Sequence, residues 1–184
     1  MTNTQVPLTG RTLIVGPSGI GKTSLTARTL ANWLEDGRTQ EAVVFEFGPE
    51  LDRSDRVVGR RLCRFVEIPD EVWIDPVEAN APRSQGSETL DALKLARENA
   101  ERANRRFDNA PPDPDAVFVN DVTIAFQHEV GDLDALMRYC SQADCVVINA
   151  YEGDEFGSDD PVSQREQTVL RRLRSWTDRT IELT

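Results

Sequence analysis

Residues Gly16-Pro17-Ser18-Gly19-Ile20-Gly21-Lys22-Thr23 stand in the order G-x-x-x-x-G-K-T, followed by Ser24. The chemistry open to that pattern is capture of a polyphosphate. Glycines let the backbone curl so that successive N–H groups point into one concave nest, and a helix opening directly behind adds its positive end. Lys22 would reach the β/γ-phosphates, and the Thr23 hydroxyl would hold Mg²⁺. The chain has 11 glycines and only two lysines, Lys22 and Lys94. In such a composition roughly one sequence in a thousand would match by accident, so the segment is read as a phosphate loop and not as a bland Gly-rich turn. The expected ligand is ATP or GTP with Mg²⁺.

Two further side chains have the right type and placement. Ala116-Val117-Phe118-Val119-Asn120-Asp121 is an apolar strand ending in a carboxylate. Asp121 in that position can bind Mg²⁺ or its water shell; the alternative is an acid that caps the next turn. Asn149 ends the apolar run Cys145-Val146-Val147-Ile148. Its amide can donate to a phosphate oxygen and accept from water at once, or simply satisfy a turn.

The elements that must position these groups are legible as hydrophobic pattern. Leu13-Ile14-Val15 reads as the strand before the loop, and Leu25, Leu30, Trp33 and Leu34 as the apolar face of the helix after it, with Gly37 as its stop. Ala42-Val43-Val44-Phe45 is a second strand. Residues 51–85 are punctuated by Pro69, Pro76 and Pro82 and read as an elaboration over the site, with short strands at 62–68 and 72–74. Ser87 is the expected N-cap of a helix through Leu90, Leu93, Ala96, Ala100, Ala103 and Phe107, whose arginines read as a solvated face. A helix follows over 132–140. Residues 152–162 are a polar loop, and Ser163-Gln164-Arg165-Glu166 fits a capping box for a last helix carrying Val169, Leu170, Leu173 and Trp176. Thr180-Ile181-Glu182-Leu183 closes the chain as a strand. Strands alternating with helices predict an α/β, three-layer fold with a mainly parallel sheet covered on both faces, in one domain spanning 1–184.

In these motifs the chain resembles the RecA/KaiC-like branch of P-loop ATPases, over most of its length. That resemblance implies a water-activating glutamate after the second strand, which carries over to Glu46 in Val44-Phe45-Glu46-Phe47-Gly48-Pro49-Glu50, with Glu50 in reserve. The chain departs from the family where Phe47 stands in place of a second acid. The resemblance also implies a γ-phosphate sensor role for Asn149. A weaker resemblance links the sheet-end motifs to cobinamide kinase-like P-loop kinases.

Composition bounds the partners. The 184 residues carry a formal net charge of −11. Such a surface argues against nucleic acid as a default partner, because phosphate contacts need clustered Lys or Arg. Scarce Lys beside abundant Asp and Glu resembles proteins of salt-loving archaea, implying a cytoplasm rich in salt. Cys63, Cys140 and Cys145 form no C-x-x-C pair and read as free thiols, and the lone His128 makes a poor complement for a thiolate metal site. No apolar stretch has membrane-spanning length, and Met1-Thr2-Asn3-Thr4-Gln5 has no signal-like core. Arg165, Arg171, Arg172 and Arg174 form a basic island, read first as partners of the acidic loop and second as a source of a charge-stabilising finger. The functions left open are a slow, Mg²⁺-dependent ATPase acting through a protein partner or homo-oligomer, a small-molecule kinase, and a non-hydrolysing or GTP-dependent switch.

Overall fold

The structure, a computed structural model, describes residues 4–35, 37–39, 41–53, 56–58, 60–76, 79–153 and 159–184. The expectations for the extreme N-terminus, the polar stretch at 52–56 and the 152–162 loop fall in part outside these residues.

Four apolar runs make the centre of one sheet: β1 (Gly10–Gly16), β2 (Ala42–Glu46), β6 (Ala116–Asn120) and β7 (Cys145–Tyr151). Their side chains are buried on both faces, as near-continuous Val, Ile, Leu and Phe demand. Two edge strands flank them, β5 (Trp73–Pro76) and β8 (Arg179–Glu182), and the order across the sheet is β5-β2-β6-β7-β1-β8, with every pairing parallel. A separate antiparallel pair, β3 (Leu51–Arg53) with β4 (Arg56–Val58), lies in the 51–85 elaboration.

Alternation along each strand sorts the core into two layers. Leu13, Val15, Val43, Phe45, Val117, Val119, Val146 and Ile148 face one side. There they meet α3 (Thr89–Phe107), α4 (Leu133–Cys140) and α5 (Pro161–Trp176) through Ala103, Phe107, Leu136, Val169 and Leu173. Ile14, Val44, Phe118 and Val147 face the other, against Leu25, Leu30 and Trp33 of α1 (Lys22–Glu35). Phe45 is the hub of the first layer: its ring stacks with Phe47 and meets Trp73, Phe107 and Tyr139 edge to face at 5.5–5.6 Å. Burying one such ring contributes roughly 1.5–3 kcal/mol. The expected three-layer α/β arrangement is therefore what the chain forms. Cys140 and Cys145 lie in opposite layers, so they share neither a disulfide nor a metal.

Three local expectations are corrected. The 62–68 strand is a 3₁₀ turn, Leu62–Arg64, in which Leu62 is fully buried beneath α1 and Phe65 is exposed; that is not the two-residue period of a strand. Ser87 does not cap α3: its hydroxyl donates to Asp91 instead, and Glu88 holds the cap position with no side-chain bond. The capping box at 163–166 lies inside α5, which starts three residues earlier. Asp160 accepts the Ser163 N–H at 3.0 Å and Pro161 fills the first helical position, so the Asp-Pro start prevails. Elsewhere Gly37 (φ +75°) ends α1 as read, and Asp132 caps α4 through Ala135.

Candidate functional site

The C-terminal ends of β1, β2, β6 and β7 bring the predicted residues to one edge of the sheet. Between β1 and α1 the chain turns through Pro17, Ser18, Gly19, Ile20 and Gly21, with Ser18 to Gly21 exposed and Gly19 and Gly21 at φ +74° and +107°. Lys22 is buried. Its Nζ bends back over the loop and donates to the carbonyls of Gly16 at 2.9 Å and Pro17 at 2.6 Å. Thr23 is half-buried and Ser24 exposed in the first turn of α1, which holds no acidic residue to neutralise its positive end.

Asp121 follows β6 in the left-handed conformation, φ +53°. Asp and Asn tolerate this region better than most side chains, yet it still stores strain, which concentrates at functional ends of folds. Its N–H donates to Asn149 Oδ1 at 2.8 Å. Its carboxylate lies so close to Gly48 that a Cβ there would fall 2.3 Å from Oδ2. Gly48 thus lets the chain after β2 pass against the acid. Removal from water pushes the Asp121 carboxyl up to about 6, the Lys22 cation pulls it down, and the Glu166 charge raises it.

Behind the loop a buried polar ladder crosses three strands. Thr26 Oγ1 donates to the Lys22 carbonyl and accepts from Asn149 Nδ2 at 2.9 Å. The same Asn149 amide donates to Asn120 Oδ1 at 2.8 Å, and Asn120 Nδ2 donates to Glu46 Oε2 at 2.8 Å and to the Arg60 carbonyl at 2.9 Å. Glu46 Oε1 accepts the Leu62 N–H at 2.6 Å. The ladder has a direction: each amide passes its N–H toward Glu46, the terminal acceptor. Glu46 is 1% exposed, and that burial is the main reason its carboxyl rises to about 7; the Leu62 and Asn120 donors pull it back and the Asp121 charge raises it.

The predicted residues therefore converge on neighbouring strands, with Gly16 and Glu46 ending β1 and β2 and Asp121 just past β6; Asn149, read as a strand end, lies instead inside β7, fully buried, with its amide engaged by Thr26, Asn120 and the Asp121 N–H. Glu50 stands apart at the surface, paired with Arg64, which holds its carboxyl below the usual range. The basic island is engaged by carboxylates: Arg172 pairs with Asp134, and Arg174 with Glu182 and with Glu152, the first residue of the acidic stretch, whose N–H donates to the Gly16 carbonyl.

Sequence reasoning missed Asn120, Thr26, Tyr151, Glu166 and Gln127. Asn120 had a signal, a polar side chain inside an apolar run one residue before Asp121. Tyr151 had none until register placed it beside Gly16. Glu166 was read as a helix cap; it is 3% exposed, accepts from Gln127 Nε2 at 3.3 Å and pairs with Arg83 at 2.7 Å.

No protein-family model matches the chain, and no curated protein matches it by sequence. Among solved structures it is similar to the Pif1 helicase from Candida albicans, at 13% identity and a TM-score of 0.41 over 95% of this chain. The chain spans 36% of that structure's length. Among the described residues no helix is long and apolar enough to cross a membrane.

Proposed function

We propose that the chain is a Mg²⁺-dependent ATP-binding P-loop protein that hydrolyses ATP slowly and acts through protein contacts. One observation carries the reading: the Lys22 ammonium is held at the mouth of a glycine-turned loop, at the positive end of α1, whose first turn holds no acidic residue, with the Asp121 carboxylate within its field. Cation, helix pole and acid are the parts that grip a polyphosphate and its metal. Thr23 and Asp121 are the residues that would hold Mg²⁺, which would supply charge neutralisation to the bound polyphosphate. Glycines at 19 and 21 bring main-chain N–H groups to the phosphate oxygens, and Lys22 exchanges its carbonyl partners for them.

In hydrolysis the oxygen of water bonds to the γ-phosphorus as the bond to the bridging oxygen breaks, and Glu46 takes the proton. Both oxygens of Glu46 are engaged and the segment from Arg60 to Leu62 lies over it. Water reaches the base only when that segment shifts, which supports slow turnover. The same sealing suits the second reading, a small-molecule kinase, because a kinase must keep water from its γ-phosphate. An acceptor-dependent burst of turnover would favour the kinase; slow release of phosphate with no acceptor favours the ATPase.

Lys22→Ala is expected to abolish binding of MgATP, read by titration calorimetry, with the circular dichroism spectrum retained. Unchanged affinity would refute the proposal.

A further inference from the structure

Arg83 joins the loop to the far end of the sheet. It is the second residue of α2 (Pro82–Gln85), half-buried, with its Nη1 2.7 Å from Glu166 Oε2 and 3.5 Å from Ser163 Oγ, both in the first turns of α5. Its guanidinium carbon lies 5.3 Å from the centre of the Tyr151 ring. Lys22 Nζ lies 5.9 Å from the same centre. This shared ring is no accident of rotamers, because the parallel register of β1 and β7 sets Tyr151 opposite Gly16. A second cation is thus held next to the phosphate loop, and the aromatic face between the two attracts both.

Its present partner is a carboxylate that a phosphate can outbid. Glu166 has another donor, Gln127 Nε2, and Gln127 Oε1 is buried with no hydrogen-bond partner. Losing Arg83 would leave Glu166 solvated by Gln127 alone unless a water or ligand donor enters. A terminal phosphate offers more charge than a carboxylate and accepts the guanidinium fork in a bidentate pair.

Resting on the nucleotide-binding reading above, we infer that Arg83 reads the terminal phosphate: with a triphosphate in the loop its guanidinium leaves Glu166 and pairs with the γ-phosphate, and with a diphosphate it stays on Glu166. The consequence is regulatory. α2 is tied to α3 by Asn80, whose N–H donates to Asn99 Oδ1 at 2.8 Å and whose carbonyl accepts from Asn99 Nδ2 at 2.9 Å. Exchange at Arg83 therefore removes the ion-pair tie between α2 and the start of α5 when the nucleotide is a triphosphate, and restores it after hydrolysis.

The test is calorimetry with the Mg²⁺ complexes of ADP and of a β,γ-imido ATP analogue on the wild type, Arg83→Ala and Glu166→Gln. Arg83→Ala is expected to lose roughly tenfold or more in affinity for the analogue, the scale of one charge-assisted pair, with affinity for ADP within about twofold. Equal loss for both nucleotides, or loss for neither, overturns the inference. Because Arg83→Ala strands a buried carboxylate and can unfold the chain, Glu166→Gln carries the test independently. It keeps an acceptor for Gln127 and takes the Glu166 charge off Arg83, with Asp160 still in its field, so affinity for the analogue should rise by roughly threefold while that for ADP stays put; an unmoved ratio overturns the inference. Wild type that binds neither nucleotide sinks the proposed function and this inference together, which differs visibly from wild type that binds while both variants leave the ratio unchanged.

Discussion

At the scale of single residues, the site is governed by buried carboxyl groups whose charge is held in check. Glu46 titrates near 7 in the fold against an ordinary 4.5, and Asp121 near 6 against 3.8. Between those values the folded chain keeps protons that the unfolded chain has released. Stability of the protein without nucleotide or Mg²⁺ is thus fully present near and below about pH 4 to 5 as far as these groups are concerned, and declines as pH rises through 6 and 7. Glu46 alone accounts for roughly 3 kcal/mol of that decline. Urea unfolding across this range should show the slope, and Glu46→Gln should flatten it; an identical slope in the variant would mean that Glu46 is charged throughout. The substitution also leaves two N–H groups facing each other where Asn120 now donates, so a loss of roughly 1–3 kcal/mol below pH 5 is expected in addition. Glu46 was legible as a strand-ending acid. Its burial was not, because the Leu62 N–H that seals it arrives from a segment 16 residues away that does not form the expected strand.

At the scale of elements, the last helix shows how competing start signals are resolved. Ser163 and Glu166 satisfy a capping-box pattern, but Asp160 and Pro161 satisfy the N-cap and first-position preferences more directly, and the helix takes the earlier start. That choice matters beyond the helix. It turns Ser163 and Glu166 inward, 3% exposed each, where Glu166 can meet Arg83 and Gln127. Asp160→Ala removes the side chain that receives the Ser163 N–H and should lower stability by about 1 kcal/mol in urea unfolding. A change below a few tenths would show that the cap is not formed in solution. On the long helix α3 the charged face behaves as its pattern indicated, Arg97 pairing with Glu101 and Arg102 with Glu98 one turn apart, exposed pairs that solubilise the face more than they stabilise it, whereas Leu90, read as part of the apolar face, is exposed in the first turn.

At the scale of the whole molecule, 32 acidic residues against 21 basic ones leave self-repulsion that salt must screen. Raising KCl from about 0.1 to about 2 M should raise the melting temperature of the ligand-free chain, as the Debye length falls from roughly 10 Å to a few ångström. A flat or falling profile would remove the argument for a salt-rich habitat. The repulsion is spread over the surface, whereas the loop edge concentrates Lys22 and Arg83 around one tyrosine.

By itself the amino-acid sequence determined the glycine-turned loop between β1 and α1, the four apolar strands and the two-sided parallel sheet, because glycine placement and hydrophobic period act over a few neighbouring residues. Tertiary structure alone decided which strand ends meet. Asn120 reaches Glu46 across 74 residues because the crossovers set β6 beside β2, and Asn149 reaches Thr26 across 123 because β7 lies beside β1 and under α1. The same crossovers bring Arg83 to Tyr151 and Glu166. A side chain's type is written locally, but its partner is chosen by strand order, and strand order is settled by burying both faces of the sheet at once.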